Sequence, residues 1–209
     1  MRSFLAELQH FGPTWPQQAA DGPTGAELRP WARGMSVVRL WGRFPPGWAG
    51  ALSLGLAHEG VGIVRGFARQ VGIGRWVAEL QVQPAAAATE LSRLDFLGLA
   101  QAPHGREIVP LRLRSWYVDS SPETGGALYL EVRGEDRLGF LGSLLARLAA
   151  LSLFPAEMMI ETQDGLALDR FALRGVGGRL PSDDARQALV AMLAGLTAGR
   201  AAVGRLTAQ

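Results

Sequence analysis

The residues whose types and spacing could do chemistry cluster in Asp136-Arg137-Leu138-Gly139-Phe140-Leu141. Here an alternating strand through Leu128, Leu130 and Val132 runs into a tight turn, and a leucine-rich helix begins at once. A glycine at 139 removes the Cβ that would keep a small molecule off the backbone. Free N–H groups at a helix start attract a carboxylate. The bland alternative is that Gly139 relieves the turn and Asp136 caps the helix.

Other candidates fall away. His10, His58 and His104 are far apart and lack metal-site spacing, and the absence of Cys removes thiolate nucleophiles, disulfides and Cys-bound zinc. Ser143 sits in Gly142-Ser143-Leu144 rather than a nucleophile elbow. The third glycine after Gly60-Val61-Gly62 falls at Gly66, one position too late for a dinucleotide fingerprint. Arg65-Gly66-Phe67-Ala68 matches half of an aromatic RNA-binding signature, but Arg69-Gln70-Val71-Gly72 lacks the aromatics of the other half. A sheet that binds RNA is therefore the weakest of three readings. With no catalytic constellation left, the expectation is a protein that is not an enzyme and needs no cofactor or metal.

Composition sets the frame. The 209 residues are 48% hydrophobic and 19% charged, ordinary for a chain that buries a core. The isoelectric point near 9.9 overstates the basicity, because 21 basic residues face 19 acidic ones. With no Lys, no Cys and two Tyr, little titrates between neutral pH and pH 10, so a small excess of charge persists. A nucleic-acid partner is not expected. Residues 1–11 carry Glu7 and His10 and do not read as a signal peptide, and the uncharged stretch 187–199 is too short for a membrane span. A cytoplasmic protein follows, and the lack of Lys and Asn beside abundant Ala, Gly, Arg and Leu suggests GC-rich coding and a bacterial source.

The elements around the turn come in two copies. Gly42, Gly47, Gly50, Leu52, Leu56 and Ala57 recur 92 positions later as Gly134, Gly139, Gly142, Leu144, Leu148 and Ala149. Residues 1–34, with Pro13, Pro16, Pro23 and Pro30, read as an extension dispensable for folding. The first copy, 35–118, reads as a strand with Val38 and Leu40, a helix with Trp48, Leu52 and Leu56, strands over 61–71 and 75–83, a helix over 85–99 and a strand over 108–118. The second copy, 126–209, repeats the order. It has a strand over 156–163, a hairpin at Asp164-Gly165, a strand over 166–173, a helix started by Pro181-Ser182-Asp183-Asp184 and a weak strand over 201–206. The expected fold is α+β, two ferredoxin-like βαββαβ sandwiches in tandem.

Residues 128–175 resemble the ACT domain, a ligand-sensing module, and are most similar to the versions in signal-protein uridylyltransferases and the glycine-cleavage-system repressor. The resemblance rests on the Asp136-Arg137-Leu138-Gly139 loop and on Asp169-x-Phe171. It implies a regulatory protein that binds an amino acid or similar small ligand. The site would be lined by Asp136, Arg137, Leu138, Gly139, Phe140 and Leu141, with Met158 and Met159 on the next strand facing it. Core packing or a subunit contact is the other reading of the two methionines. Phe171 reads as core and Asp169 as structural. In the first copy Phe44 and Pro45 replace the Asp-Arg pair while Gly47 is kept, so this copy reads as a pseudo-symmetric partner rather than a second sensor. The competing class is a ligand-free interaction module, whose company would be a second copy of the chain or a regulated protein.

Overall fold

Alternating apolar residues make strands, and these strands share a single sheet. The computed structural model describes residues 22–87, 89–102, 109–120, 126–197 and, as backbone, 203–207. In order, the chain forms β1 (Gly25–Pro30), β2 (Ser36–Arg43), α1 (Trp48–His58), β3 (Val61–Gly72), β4 (Arg75–Pro84) and α2 (Phe96–Gln101). It continues through β5 (Leu113–Asp119), β6 (Leu128–Glu135), α3 (Phe140–Ala150), β7 (Phe154–Gln163), β8 (Leu166–Arg174), α4 (Asp183–Thr197) and β9 (Val203–Thr207). The fold is α+β, with a nine-stranded sheet ordered β1-β2-β4-β3-β7-β8-β6-β5-β9. Every neighbour is antiparallel except the β5–β9 pair.

The seam between the two halves is the β3–β7 pair, running from Arg65↔Glu161 through Phe67↔Met159 to Arg69↔Glu157. Phe67 and Met159 occupy equivalent positions of the repeat, so a local pseudo-twofold passes between them. Opposite charges stand across the seam on either side, which favours this register over its neighbours. Burial pushes the Glu157 carboxyl upward in pKa and Arg69 partly offsets it. On the other face of the sheet, α1 packs on α3. A Cβ at Gly142 would lie 2.8 Å from the Leu54 backbone nitrogen, and one at Gly50 would lie 3.3 Å from the Leu145 Cβ. The repeated glycines let the two helices approach. Under them lies one contiguous core that takes in Leu40, Leu52, Leu56, Leu80, Leu130, Leu144, Leu148 and Phe171.

Three sequence expectations change. The helix over 85–99 is reduced to a short α2 preceded by a 3-10 turn at Leu91–Arg93. The small side chains of 85–88 offer no apolar stripe to bury, and Asp95 starts α2 instead by accepting from the Gly98 amide at 2.9 Å. The strand over 108–118 forms as β5, but it pairs with β6 and β9 in the second half instead of with β2. A short connection to β6 favours that antiparallel partner. The place beside β2 is taken by β1, drawn from the segment expected to lack regular structure. The Asp164-Gly165 hairpin forms with both residues at positive φ, 52° and 72°, the combination that matches strand twist. Ser182 accepts from the Ala185 amide at 3.2 Å and starts α4.

β1 changes the expectation for a chain that begins at Met35. Its removal strips the β2 edge, the partly buried Leu28 and the 2.8 Å bond from the Arg75 guanidinium to the Gly22 carbonyl. Urea unfolding should show a loss of about 2–3 kcal/mol, on the scale of one buried leucine and a few hydrogen bonds. An unchanged midpoint would mean that β1 contributes nothing to the sheet.

Candidate functional site

The turn after β6 is held from two sides. The Asp136 amide donates to the Gly165 carbonyl at 3.1 Å, and the Glu135 amide donates to the Arg112 carbonyl at 3.3 Å. Gly139 then takes φ 86°, a left-handed conformation that favours glycine, and α3 starts with no side-chain cap. Asp136 is therefore not the cap. The first-turn amides, among them those of Leu141 and Gly142, face the end of the helix with its partial positive charge.

Against this turn lie the start of β3 and the end of β4 from the other half. Together they enclose a cavity of about 330 Å³, lined by all six residues from Asp136 to Leu141 and by Ser53, Val61–Val64, Gln83, Ile160, Thr162, Ala167 and Asp169. Leu138 sits at the mouth, 43% exposed. Arg137 is also at the rim and pairs with Glu135 at 2.8 Å. Ser53 is committed to its own helix, donating to the Ala49 carbonyl at 2.7 Å.

Asp169, read from sequence as structural, lines the cavity. It is 1% exposed, and neither carboxylate oxygen makes a hydrogen bond of proper geometry among the described residues. The Glu161 backbone amide is near enough to favour the charged form without forming such a bond. Burial, reinforced by the nearby Asp136 charge, pushes the Asp169 carboxyl up to about 8. The signal was available in the alternation of β8: Ala167, Asp169, Phe171 and Leu173 share the buried face, and an acid among them is out of place.

The two methionines lie elsewhere. Met158 is 1% exposed and borders a gap of about 40 Å³ beside Gly47, Trp48 and Trp76, at the turn of the first copy. Met159 points to the helix-free face, where it is buried against Phe67, and the Arg170 guanidinium is 3.6 Å from its sulfur. On β7 it is Ile160 and Thr162 that reach the cavity. Phe67 is itself only 7% exposed, which leaves little ring surface for a base to stack on.

The small gap is the repeat's version of the large one. Strand register places Trp76 opposite Gly42 and Ala167 opposite Gly134, so Trp76 and Ala167 are equivalent. By the same register Ala78 stands where the second copy has Asp169. Gly47 and Gly139 have nearly the same φ, 81° and 86°, and each starts an 11-residue helix. The turns match, but in the first copy Trp48 packs on Phe44 at 4.9 Å and on Trp76 at 5.5 Å. Indole fills the space that alanine leaves open in the second copy.

No family model, curated protein or solved structure matches the chain. Among the described residues no helix is long and apolar enough to cross a membrane, and no three His, Cys, Asp or Glu side chains gather as a metal site would require.

The buried acid has a measurable consequence for stability. In the folded chain Asp169 keeps its proton up to about pH 8, whereas in the unfolded chain it ionises near the ordinary value of 3.8. Its contribution to folding is complete below about pH 4 and is lost as the pH rises to 8, at up to about 1.4 kcal/mol per pH unit. Asp169→Asn removes this slope. In urea unfolding at pH 5 and pH 8, the wild type should lose stability relative to the variant as the pH rises; a constant difference would place an ordinary carboxylate at 169.

Proposed function

We propose that the chain is a regulatory module of two ACT-like repeats that binds an amino acid or similar small molecule between them, and that it is not an enzyme. The observation that carries this reading is the cavity: the second copy's glycine turn and uncapped helix start form one wall, and the first copy forms the other. Such a site offers N–H donors to a carboxylate, apolar surface from Val61, Ile63 and Ile160, and an acid on the far side. The repeat supports the finer description of the fold. Each copy has a βαββ run with a left-handed glycine before an 11-residue helix, and the departures from a self-contained ferredoxin-like unit are the fourth strands, the short α2 and the added β1. The difference between the turns supports one site per chain, since the first is filled by aromatic rings.

Thermal melting of the intact chain against each of the twenty amino acids tests this. Binding only the folded state raises the midpoint, by about 2.7 kcal/mol of stability at a hundredfold excess over Kd. Ala167→Trp, which reproduces the filled first copy, should abolish the response. Flat melting for all twenty would favour a ligand-free module that docks on a partner, and a response that survives Ala167→Trp would put the ligand outside this cavity.

A further inference from the structure

The cavity holds a group that the amino-acid reading leaves unexplained. A carboxyl 1% exposed, with neither oxygen in a well-formed hydrogen bond among the described residues, is costly unless a cation or a proton meets it. Among the described lining residues the only cation is Arg137, and its guanidinium is engaged with Glu135 at the rim. A bound metal ion is a poor solution, because Asp136 and Asp169 are the only carboxylates among the described lining residues and oxygen-ligated cations need more ligands than two. The remaining partner is a ligand that brings its own positive charge.

We propose that Asp169 makes this site selective for ligands carrying a protonated amine and couples their binding to the release of a proton. The inference rests on the ligand-binding reading above and adds to it the recognised group and its regulation. In the empty site Asp169 is a carboxylic acid. When R–NH₃⁺ enters, the Asp169 O–H bond breaks, the proton leaves to water, and the ammonium N–H groups donate to the carboxylate; no covalent bond forms. One positive charge enters and one leaves, so the cavity never holds an unpaired charge.

Few charged groups face Asp169 among the described residues. The β6–α3 turn contributes Asp136, whose charge opposes ionisation of Asp169, and Arg137, turned to Glu135. β7 brings the Glu161 backbone amide, Ile160 directly across from Asp169, and Thr162 in the same lining, none of them charged; the Glu161 side chain is on the opposite face, across from Arg65. β6 presents Val132 and Gly134, and the lining residues of α1, α3, β3 and β4 carry no charge. With a carboxyl titrating near 8, release approaches one proton per ligand at pH 7, and affinity falls about tenfold for each pH unit below.

Calorimetric titration of the full chain in two buffers of different ionisation enthalpy counts the protons. The probes are alanine, valine and leucine, their decarboxylated amines (ethylamine, isobutylamine and isopentylamine) and their deaminated acids (propionate, isovalerate and 4-methylpentanoate). Amino acids and amines should bind with release of close to one proton at pH 7, and about tenfold more weakly at pH 6. Asp169→Asn should weaken the amines by about a hundredfold or more and abolish the release, leaving the acids unaffected. The proposal is overturned if the acids bind as well as the amines, or if the variant still releases a proton. If acids bind and amines do not, the cavity reading stands and the role of Asp169 falls. If amines bind and amino acids do not, the role of Asp169 stands and the amino-acid reading falls, and silence from every probe overturns both.

Discussion

The structure depends on the antiparallel seam between β3 and β7, with the α1–α3 contact above it. Phe67 meets its own repeat equivalent Met159 on this seam, so the backbone hydrogen bonds of one half continue into the other. Above the sheet, Gly50 and Gly142 remove the side chains that would hold the helices apart; a Cβ at Gly142 would run into the Leu54 backbone. Core packing transmits such a clash because interiors have few voids to absorb it. The distance between the helices sets where the 136–141 turn lies relative to Val61–Val64 and Gln83, and that spacing is the cavity.

A repeat related by a pseudo-twofold offers two sites, and side chains decide which survives. The backbone at Gly47 and Gly139 is nearly the same. One copy places Phe44, Trp48 and Trp76 in the space, burying aromatic surface at the expense of a pocket. The other places Ala167 there and keeps an acid at 169, giving up packing and accepting a buried polar group. The aromatic-filled copy forms one wall of the cavity and the other copy carries the unsatisfied acid, the kind of group that the proposed site would use.

Local rules made much of this legible in the sequence. The spaced glycines announced the repeat, the 136–141 turn lines the cavity, and the Asp164-Gly165 turn and the Ser182 cap read directly from residue type. What the sequence did not reveal was non-local. The partner of β5 depends on which edge is free, and β1 occupied the edge beside β2, although Pro30 and the neighbouring prolines suggested an extension. Met158 borders the gap at the first copy's turn rather than the cavity at the second, because a strand's alternation tells which face a residue takes, not which end of the seam it reaches. Asp169 alternates with Ala167 and Phe171 on the buried face of β8, and that the acid borders a cavity depends on the two halves meeting, which local sequence does not show. The narrowing of the first copy's cavity to a small gap depends on Phe44, Trp48 and Trp76 together, and the exchange of Trp76 for Ala167 is visible only once the strand registers are known.

The central claim is that the two turns are equal in backbone and unequal in use. A two-dimensional ¹H–¹⁵N titration of the chain with the amino acid that raises its melting point most reads both turns at once. Shifts should concentrate at the amides of Gly139, Leu141, Gly142, Thr162 and Gly62, with the Trp48 and Trp76 indole signals and the Gly47 amide unmoved. Shifts centred on Gly47 and the two indoles, or on Phe67 and Met159 across the helix-free face, would contradict it.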